Sequence, residues 1–173
     1  EADDRKDVSC VVLQGAGKDF CAGYDLGGGG GYLTTGGDFD ADAYRGNANF
    51  DDDLWQMRLR GMPRIVPFDM FKPILAKVHG NCLAGGTDIA LMCDIVIAAD
   101  DAKIGFPPTR SMGSPANHMW LYHAGPQWAK RLTMTGDLIS GSDAALIGLV
   151  MKSVPADLLD AVAETLGDAA RLA

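Results

Sequence analysis

The sequence predicts an α/β protein, with parallel strands joined by crossover helices in a single domain. Three observations carry that prediction. Apolar, β-branched runs read as buried strands at Val8–Leu13, Pro73–Val78 and Asp94–Ala99. Helical patterns alternate with these runs, as in a sheet with crossover connections. Glycine-rich turns follow the first two runs, at the strand ends where ligand sites of such folds are built.

The length of 173 residues suits one domain with a real core. A composition of 47% hydrophobic and 22% charged residues is that of an ordinary globular chain and not of a disordered one. The net charge of −8, with no basic stripe, argues against a nucleic-acid partner. No apolar run reaches membrane-spanning length, so no membrane partner is expected, and the opening EADDRKD does not read as a signal peptide. Cys10, Cys21, Cys82 and Cys93 form no C-x-x-C pair and sit among small or apolar residues. They read as buried small hydrophobes in a reducing, cytoplasmic setting, with Cys21 or Cys82 as a nucleophile the lesser reading.

Taken in order, Glu1–Asp7 is charged and exposed, and Val8–Leu13 is the first strand. Gly15 and Gly17 then suggest a dinucleotide turn, but Phe20 occupies the place of the third glycine, and no P-loop lysine follows with the right spacing. Ala22 and Gly23, small residues past a buried strand, expose backbone N–H groups. Gly27–Asp53 reads as a long loop holding five consecutive glycines, and such loops are usually functional. Asp51–Met62 reads as a helix with acidic residues in its first turn, and Pro63 and Pro67 interrupt the stretch after it.

The central stretch is His79–Asp94, HGNCLAGGTDIALMCD. The strand Ile74–Val78 feeds into it, Gly80, Asn81, Gly85 and Gly86 make a tight turn, and a helix begins at Gly86 with Ile89, Ala90, Met92 and Cys93 on its apolar face. The first N–H groups of a helix lack intrahelical partners and carry the positive end of its dipole. The Gly85-Gly86 pair lets a ligand oxygen approach them, and Asp88 follows three residues after Gly85 on the same face. That turn offers an oxyanion donor beside an acid or base. A second reading stands beside it: aspartate complements the dipole of a first turn, and glycines there permit close packing.

Further on, Lys103–Phe106 reads as a short strand ended by Pro107 and Pro108. Met112–Ala124 holds a turn and an aromatic helix, and Gln127–Thr133 is a basic amphipathic helix. Ser142–Gly148 reads as a capped short helix, and Leu149–Val154 as a strand. Pro155 opens a last helix, Ala156–Leu172, with Leu158, Leu159, Val162 and Leu166 inward.

Three separated motifs in this order, FCAGYDL, HGNCLAGGTDIALMCDIVIA and MTGDLISGSDAALIGLVMKSVP, resemble the crotonase superfamily, the enoyl-CoA hydratase/isomerase family. The resemblance implies a crotonase-like (ClpP/crotonase) spiral fold of stacked ββα units with C-terminal helices. It implies that residues 1–173 form one such domain, lacking the family's N-terminal strands and the end of its C-terminal helical segment. The implied partner is an acyl-CoA thioester, in fatty-acid or acyl-CoA metabolism. No separate cofactor and no metal are expected, since coenzyme A belongs to the substrate. A homotrimer or dimer of trimers is the family's assembly.

The resemblance also implies roles. The backbone N–H groups of Tyr24 and Gly85 match the two oxyanion donors that hold the thioester carbonyl as an enolate forms. Ala22, Gly23, Asp25, Leu26, Ala84 and Pro108 match substrate-binding positions, and Asp88 matches the first of the two glutamates that hydratases use. Aspartate is shorter by one methylene, about 1.5 Å. The second glutamate falls at Pro108, in GFPPTR, and proline neither donates nor accepts a proton. Two-carboxylate hydration is therefore incomplete here. Arg110, His118, Trp120 and Tyr122 are the neighbours in sequence that can reach the pocket, with His118 a substitute acid or a packed helical histidine, and Trp120 and Tyr122 core or pocket wall. His79 is expected to bond the backbone, and His123 to be structural or exposed. The alternatives are a crotonase-fold isomerase, hydrolase or decarboxylase, and a non-catalytic acyl-CoA-binding paralogue.

Overall fold

The computed structural model describes residues 2–23, 65–111, 113–115 and 117–170. The expected glycine loop Gly27–Asp53 and helix Asp51–Met62 lie outside them. In chain order the elements are β1 (Val11–Gln14), β2 (Ile74–Val78), β3 (Asn81–Leu83), α1 (Gly85–Ala90), β4 (Ile95–Ala99), β5 (Lys103–Gly105), α2 (Met119–Thr135), β6 (Leu138–Ser140), α3 (Gly141–Leu146), β7 (Lys152–Val154) and α4 (Leu159–Ala170). Short 3-10 turns occupy Pro107–Arg110 and Ala156–Leu158, and residues 65–69 are helical.

The strands form two sheets. One is parallel throughout, in the order β1-β2-β4-β7, and the other has the order β3-β5-β6 with β5 and β6 antiparallel. The chain alternates between them: β2 joins the first sheet, β3 the second, and α1 follows; β4 and β5 repeat the step before α2. This is the ββα repeat expected of the fold. Its register is set where Leu75 faces Ile95, Ala76 faces Val96 and Val78 faces Ala98. These residues are apolar without alternation because β2 and β4 are covered on both faces. Val78 and Ile97 have no exposed surface, which stabilises the fold by about 1.5–3 kcal/mol for each such side chain. Helix α4 packs on β1, β2 and β4, and α3 on β4, β5, β6 and β7.

Several boundaries differ from the sequence reading. β1 begins only at Val11, whose N–H meets the Pro73 carbonyl at 2.9 Å, while Val8 is held in a turn by the Arg5 carbonyl. It is not a buried strand among the described residues: it edges its sheet, and Val12 is 42% exposed. Asn81–Leu83, expected as part of a turn, is β3, because pairing with β5 satisfies its backbone. Helix α1 ends at Ala90, and Leu91 and Cys93, past its end, are buried. The aromatic and basic helices run together as α2 across a kink at Gly125 (φ 71°) and Pro126. The cap of α3 is Ser140, whose hydroxyl accepts the Asp143 N–H at 3.0 Å. The last helix starts with a 3-10 turn, which leaves Leu158 half exposed while Leu159 is buried.

Candidate active site

The site is built where the segment ending in Gly23 runs beside the turn into α1. Cys21 pairs with Cys82 of β3 in a parallel bridge. Its N–H donates to the Asn81 carbonyl at 3.0 Å, and its carbonyl accepts the Leu83 N–H at 2.9 Å. The approach is too close for side chains. A Cβ on Gly86 would stand 2.3 Å from the Cys21 carbonyl oxygen, and one on Gly23 would stand 2.9 Å from the Ala84 Cβ and 3.8 Å from the Gly85 nitrogen. Gly23 also has a φ of 106°, a conformation that favours glycine.

Ala84, at the cap position of α1, has φ 51° and ψ −120°, a strained backbone for a residue with a Cβ. Such a residue costs about 1–3 kcal/mol and persists only when its surroundings hold it. Here the Ala84 N–H donates to the Gly105 carbonyl at 3.1 Å. The Ala84 carbonyl accepts the Thr87 N–H at 3.0 Å, the Asp88 N–H at 3.2 Å and the Thr87 hydroxyl at 2.7 Å. With its carbonyl so occupied, Ala84 turns the chain, and the N–H groups of Gly85 and Gly86 begin the helix without intrahelical acceptors.

Asp88 lies one turn further on and is 2% exposed; Thr87 is fully buried. A buried carboxylate requires polar partners. One is Asn117, whose amide Nδ2 donates to Asp88 Oδ1 at 3.2 Å. Asn117 Oδ1 in turn accepts the Met119 N–H, at 2.9 Å, at the start of α2. Sequence reasoning passed over Asn117. Its signal was an asparagine just ahead of a helix, a position where such side chains bond backbone N–H groups.

A second anchor also went unread. Asp19 Oδ1 accepts both the backbone N–H and the side-chain amide of Asn81, each at 2.8 Å. Phe20 N–H meets the His79 carbonyl at 2.8 Å, and His79 Nε2 lies 2.9 Å from the Gly17 carbonyl, the expected backbone bond. These contacts clamp residues 17–21 onto the β2–β3 turn.

The other candidates separate. Gly23 adjoins Ala84 and Gly85, Ala22 before it is exposed, and Tyr24, Asp25 and Leu26 lie outside the described residues. Pro108 is half-buried in a 3-10 turn tied to the end of α2 by the Thr109 hydroxyl and the Thr133 carbonyl, at 2.8 Å. Arg110 is held at the same end, donating to the Thr135 carbonyl at 2.9 Å and pairing with Asp137 at 3.1 Å. Arg131 and Arg110 together keep the Asp137 carboxyl below the usual carboxylate range. Trp120 is core at 2% exposure, but Tyr122 is 77% exposed and is not core. The two face different ways because they are two positions apart on a helix. His118 is exposed, and His123 bonds the Leu91 carbonyl at 3.0 Å, a structural role.

The cysteines are free thiols. Burial raises the Cys82 thiol far above its ordinary range, and burial and the nearby Asp94 push Cys93 up to about 12. Neither is a thiolate at neutral pH, which removes Cys82 as a nucleophile. Among the described residues no three His, Cys, Asp or Glu side chains converge as a metal-binding group. Nor does any helix of the described residues have the length and apolarity to cross a membrane. A groove of about 720 Å³ lies between β1 and α4, lined by Val12, Lys77, Ala163 and Glu164; no residue of the site lines it.

Comparison with known proteins shows the family and the fold. The family described as enoyl-CoA hydratase/isomerase matches residues 26–172. The (E)-benzylidenesuccinyl-CoA hydratase of Thauera aromatica is 32% identical over 96% of this chain and 61% of its own length. The crotonyl-CoA hydratase of Syntrophomonas wolfei is 40% identical over 57% of this chain and 39% of its own. An enoyl-CoA hydratase crystal structure from Mycobacterium smegmatis superposes with a TM-score of 0.81 at 40% identity, covering 97% of this chain and 57% of that one. The chain thus spans only part of the length of each protein it matches.

Proposed function

The chain belongs to the enoyl-CoA hydratase/isomerase family, and from that premise we propose that it carries the acyl-CoA site of an enzyme of hydratase/isomerase type. The single observation that carries the reading is the meeting of the Gly23 and Ala84–Gly86 segments one helical turn from a buried carboxylate, Asp88. A thioester carbonyl would sit against the N–H groups of Gly85 and Tyr24, with Ala22, Gly23, Asp25, Leu26 and Ala84 along the coenzyme A and acyl portions. Asp88 takes a proton from the substrate: the C–H bond breaks, its electron pair moves to the carbonyl oxygen, and the N–H groups hold the resulting enolate. Losing one such donor typically costs about 2.7–4 kcal/mol of transition-state stabilisation.

Pro108 at the place of the second glutamate favours chemistry that one carboxylate completes. In an isomerisation the proton leaves one carbon for Asp88 and returns to another, so no second acid is required. Hydration needs a water deprotonated and a carbon protonated, which Asp88 would have to serve alone. A homo-oligomer is also proposed, supported by the exposed Trp128, Met134 and Leu146.

The test mixes the full-length protein with crotonyl-CoA, and separately with its β,γ-unsaturated isomer 3-butenoyl-CoA, and follows the conjugated thioester absorbance, beside Asp88→Asn. Hydration abolished by the substitution supports a hydratase; β,γ- to α,β-enoyl conversion alone supports an isomerase. Failure to bind crotonyl-CoA by calorimetry would overturn the acyl-CoA reading.

A further inference from the structure

We propose that Asn117 is a positioning residue for Asp88, locked so that an N–H and not an oxygen faces the carboxylate, which keeps Asp88 ionised as a proton acceptor. The inference rests on Asp88 acting as the base, and adds what prepares it for that work.

An asparagine side chain has an acceptor end and a donor end, and a flip exchanges them. In this protein the flip is decided by the backbone. Asn117 Oδ1 accepts the Met119 N–H at 2.9 Å, a donor at the start of α2 that has no intrahelical acceptor. Only Nδ2 is then left to meet Asp88 Oδ1, at 3.2 Å. In the flipped state two N–H donors would face each other at Met119 and two oxygens at Asp88. The amide donates to Asp88 Oδ1 in either protonation state, but it donates more strongly to the charged one and so favours the carboxylate.

The direction of the effect matters because Asp88 is 2% exposed. Burial disfavours the charged form of a carboxyl group, and a donated hydrogen bond favours it. Near α1, His123 is engaged by the Leu91 carbonyl at 3.0 Å, and Cys82 and Cys93 are buried thiols held protonated. Asn117 also joins two elements, since it ties the carboxylate of α1 to the first turn of α2.

The decisive variant is Asn117→Asp. It keeps the size and the oxygen that accepts the Met119 N–H but sets a second carboxylate against Asp88, so it is read beside Asn117→Ser, whose hydroxyl can accept the Met119 N–H without adding a charge and whose wild-type kcat would equally overturn the proposal. A residue that only caps α2 would be replaced by serine without loss. A positioning residue would not, because the amide donor toward Asp88 is gone. Expected for Asn117→Asp, Asn117→Ser and Asn117→Ala is a fall in kcat of about tenfold or more on the acyl-CoA probe turned over by the wild type, with KM changed less than about twofold. Wild-type kcat in Asn117→Asp would overturn the proposal.

A second measurement is independent of turnover. Infrared difference spectra, with ¹³C-labelled aspartate, compare the protein with Asp88→Asn at neutral pH. The ionised carboxylate band of Asp88 is expected in the wild type, and the protonated carbonyl band in the Asn117→Ala background. A protonated Asp88 in the wild type, or no change in the Asn117→Ala background, would overturn the proposal even if no acyl-CoA proved to be a substrate.

Discussion

Gly86 faces the Cys21 carbonyl oxygen so closely that a Cβ on the glycine would come within 2.3 Å of it. The atom opposite is backbone, held in the β3 bridge on both sides, so it cannot swing away as a side chain would. The candidate site depends on this approach, because it brings the segment ending in Gly23 and the Ala84–Gly86 turn to one place.

Gly86→Ala is therefore expected to destabilise the protein by about 1–3 kcal/mol through overpacking. It should also abolish acyl-CoA binding, because relief of the clash separates the two segments. Urea unfolding and calorimetry check the two effects. An alanine variant as stable as the parent would mean that the Cys21 segment moves freely.

Gly23→Ala and Ala84→Gly should move stability in opposite directions. The first places a Cβ at φ 106° and 2.9 Å from Ala84, with an expected loss of about 1–3 kcal/mol. The second relieves the strained φ of 51° at Ala84, while glycine adds unfolded-chain entropy of about 0.5–1 kcal/mol. A net gain of about 1 kcal/mol is expected, read as a rise in Tm.

Asp88→Asn keeps the size of a side chain that is 2% exposed but cannot take a proton. Turnover is expected to fall by about 10²–10⁴-fold, with acyl-CoA affinity nearly unchanged. Steady-state kinetics beside calorimetry separate the two. Full activity in the variant would remove Asp88 from the chemistry.

The buried thiols make stability pH-dependent in alkaline solution. Cys82 and Cys93 are raised in the folded protein above the ordinary thiol value of 9.0, Cys93 to about 12. A raised group contributes stability that is complete below the unfolded value and lost as pH rises toward the folded one. Urea midpoints are expected to hold up to about pH 8 and to fall progressively between about pH 9 and 12. Replacing Cys93 by alanine should flatten that fall. In the native state a thiol reagent should modify Cys10 and Cys21 before Cys82 and Cys93.

Asp19→Ala removes the acceptor for both Asn81 donors, each at 2.8 Å. A loss of about 1–3 kcal/mol is expected, because the Asn81 N–H is left without its partner. Hydrogen exchange at Asn81 should quicken with it.

The features legible in the sequence are local ones. β4 shows as an unbroken apolar run and β2 as one broken only by Lys77, since strands covered on both faces need apolar residues almost throughout. The separation of the aromatic helix ending at Ala124 from the basic helix beginning at Gln127 shows, and the kink at Gly125 and Pro126 falls between them because proline disrupts a regular helix by itself. β3 and β6 do not show: each has three residues, and what makes them strands is the partner strand β5. That Trp120 is core and Tyr122 exposed does not show either, because only the packing of α2 decides which face of the helix is inward.

The sequence by itself determined the alternation of strands and helices, the motifs that identify the family, and the residues proposed for the chemistry, Gly85 and Asp88 among them. Those properties follow from side-chain type and short-range spacing. Only the tertiary structure decided that Cys21 lies on Gly86, that Ala84 bears the strained turn, that Arg110 belongs to Asp137, and that Asn117 donates to Asp88. Each of these joins residues far apart in the chain or depends on which way a side chain turns. Sheet register and helix packing set such distances, and no periodicity within one segment encodes them.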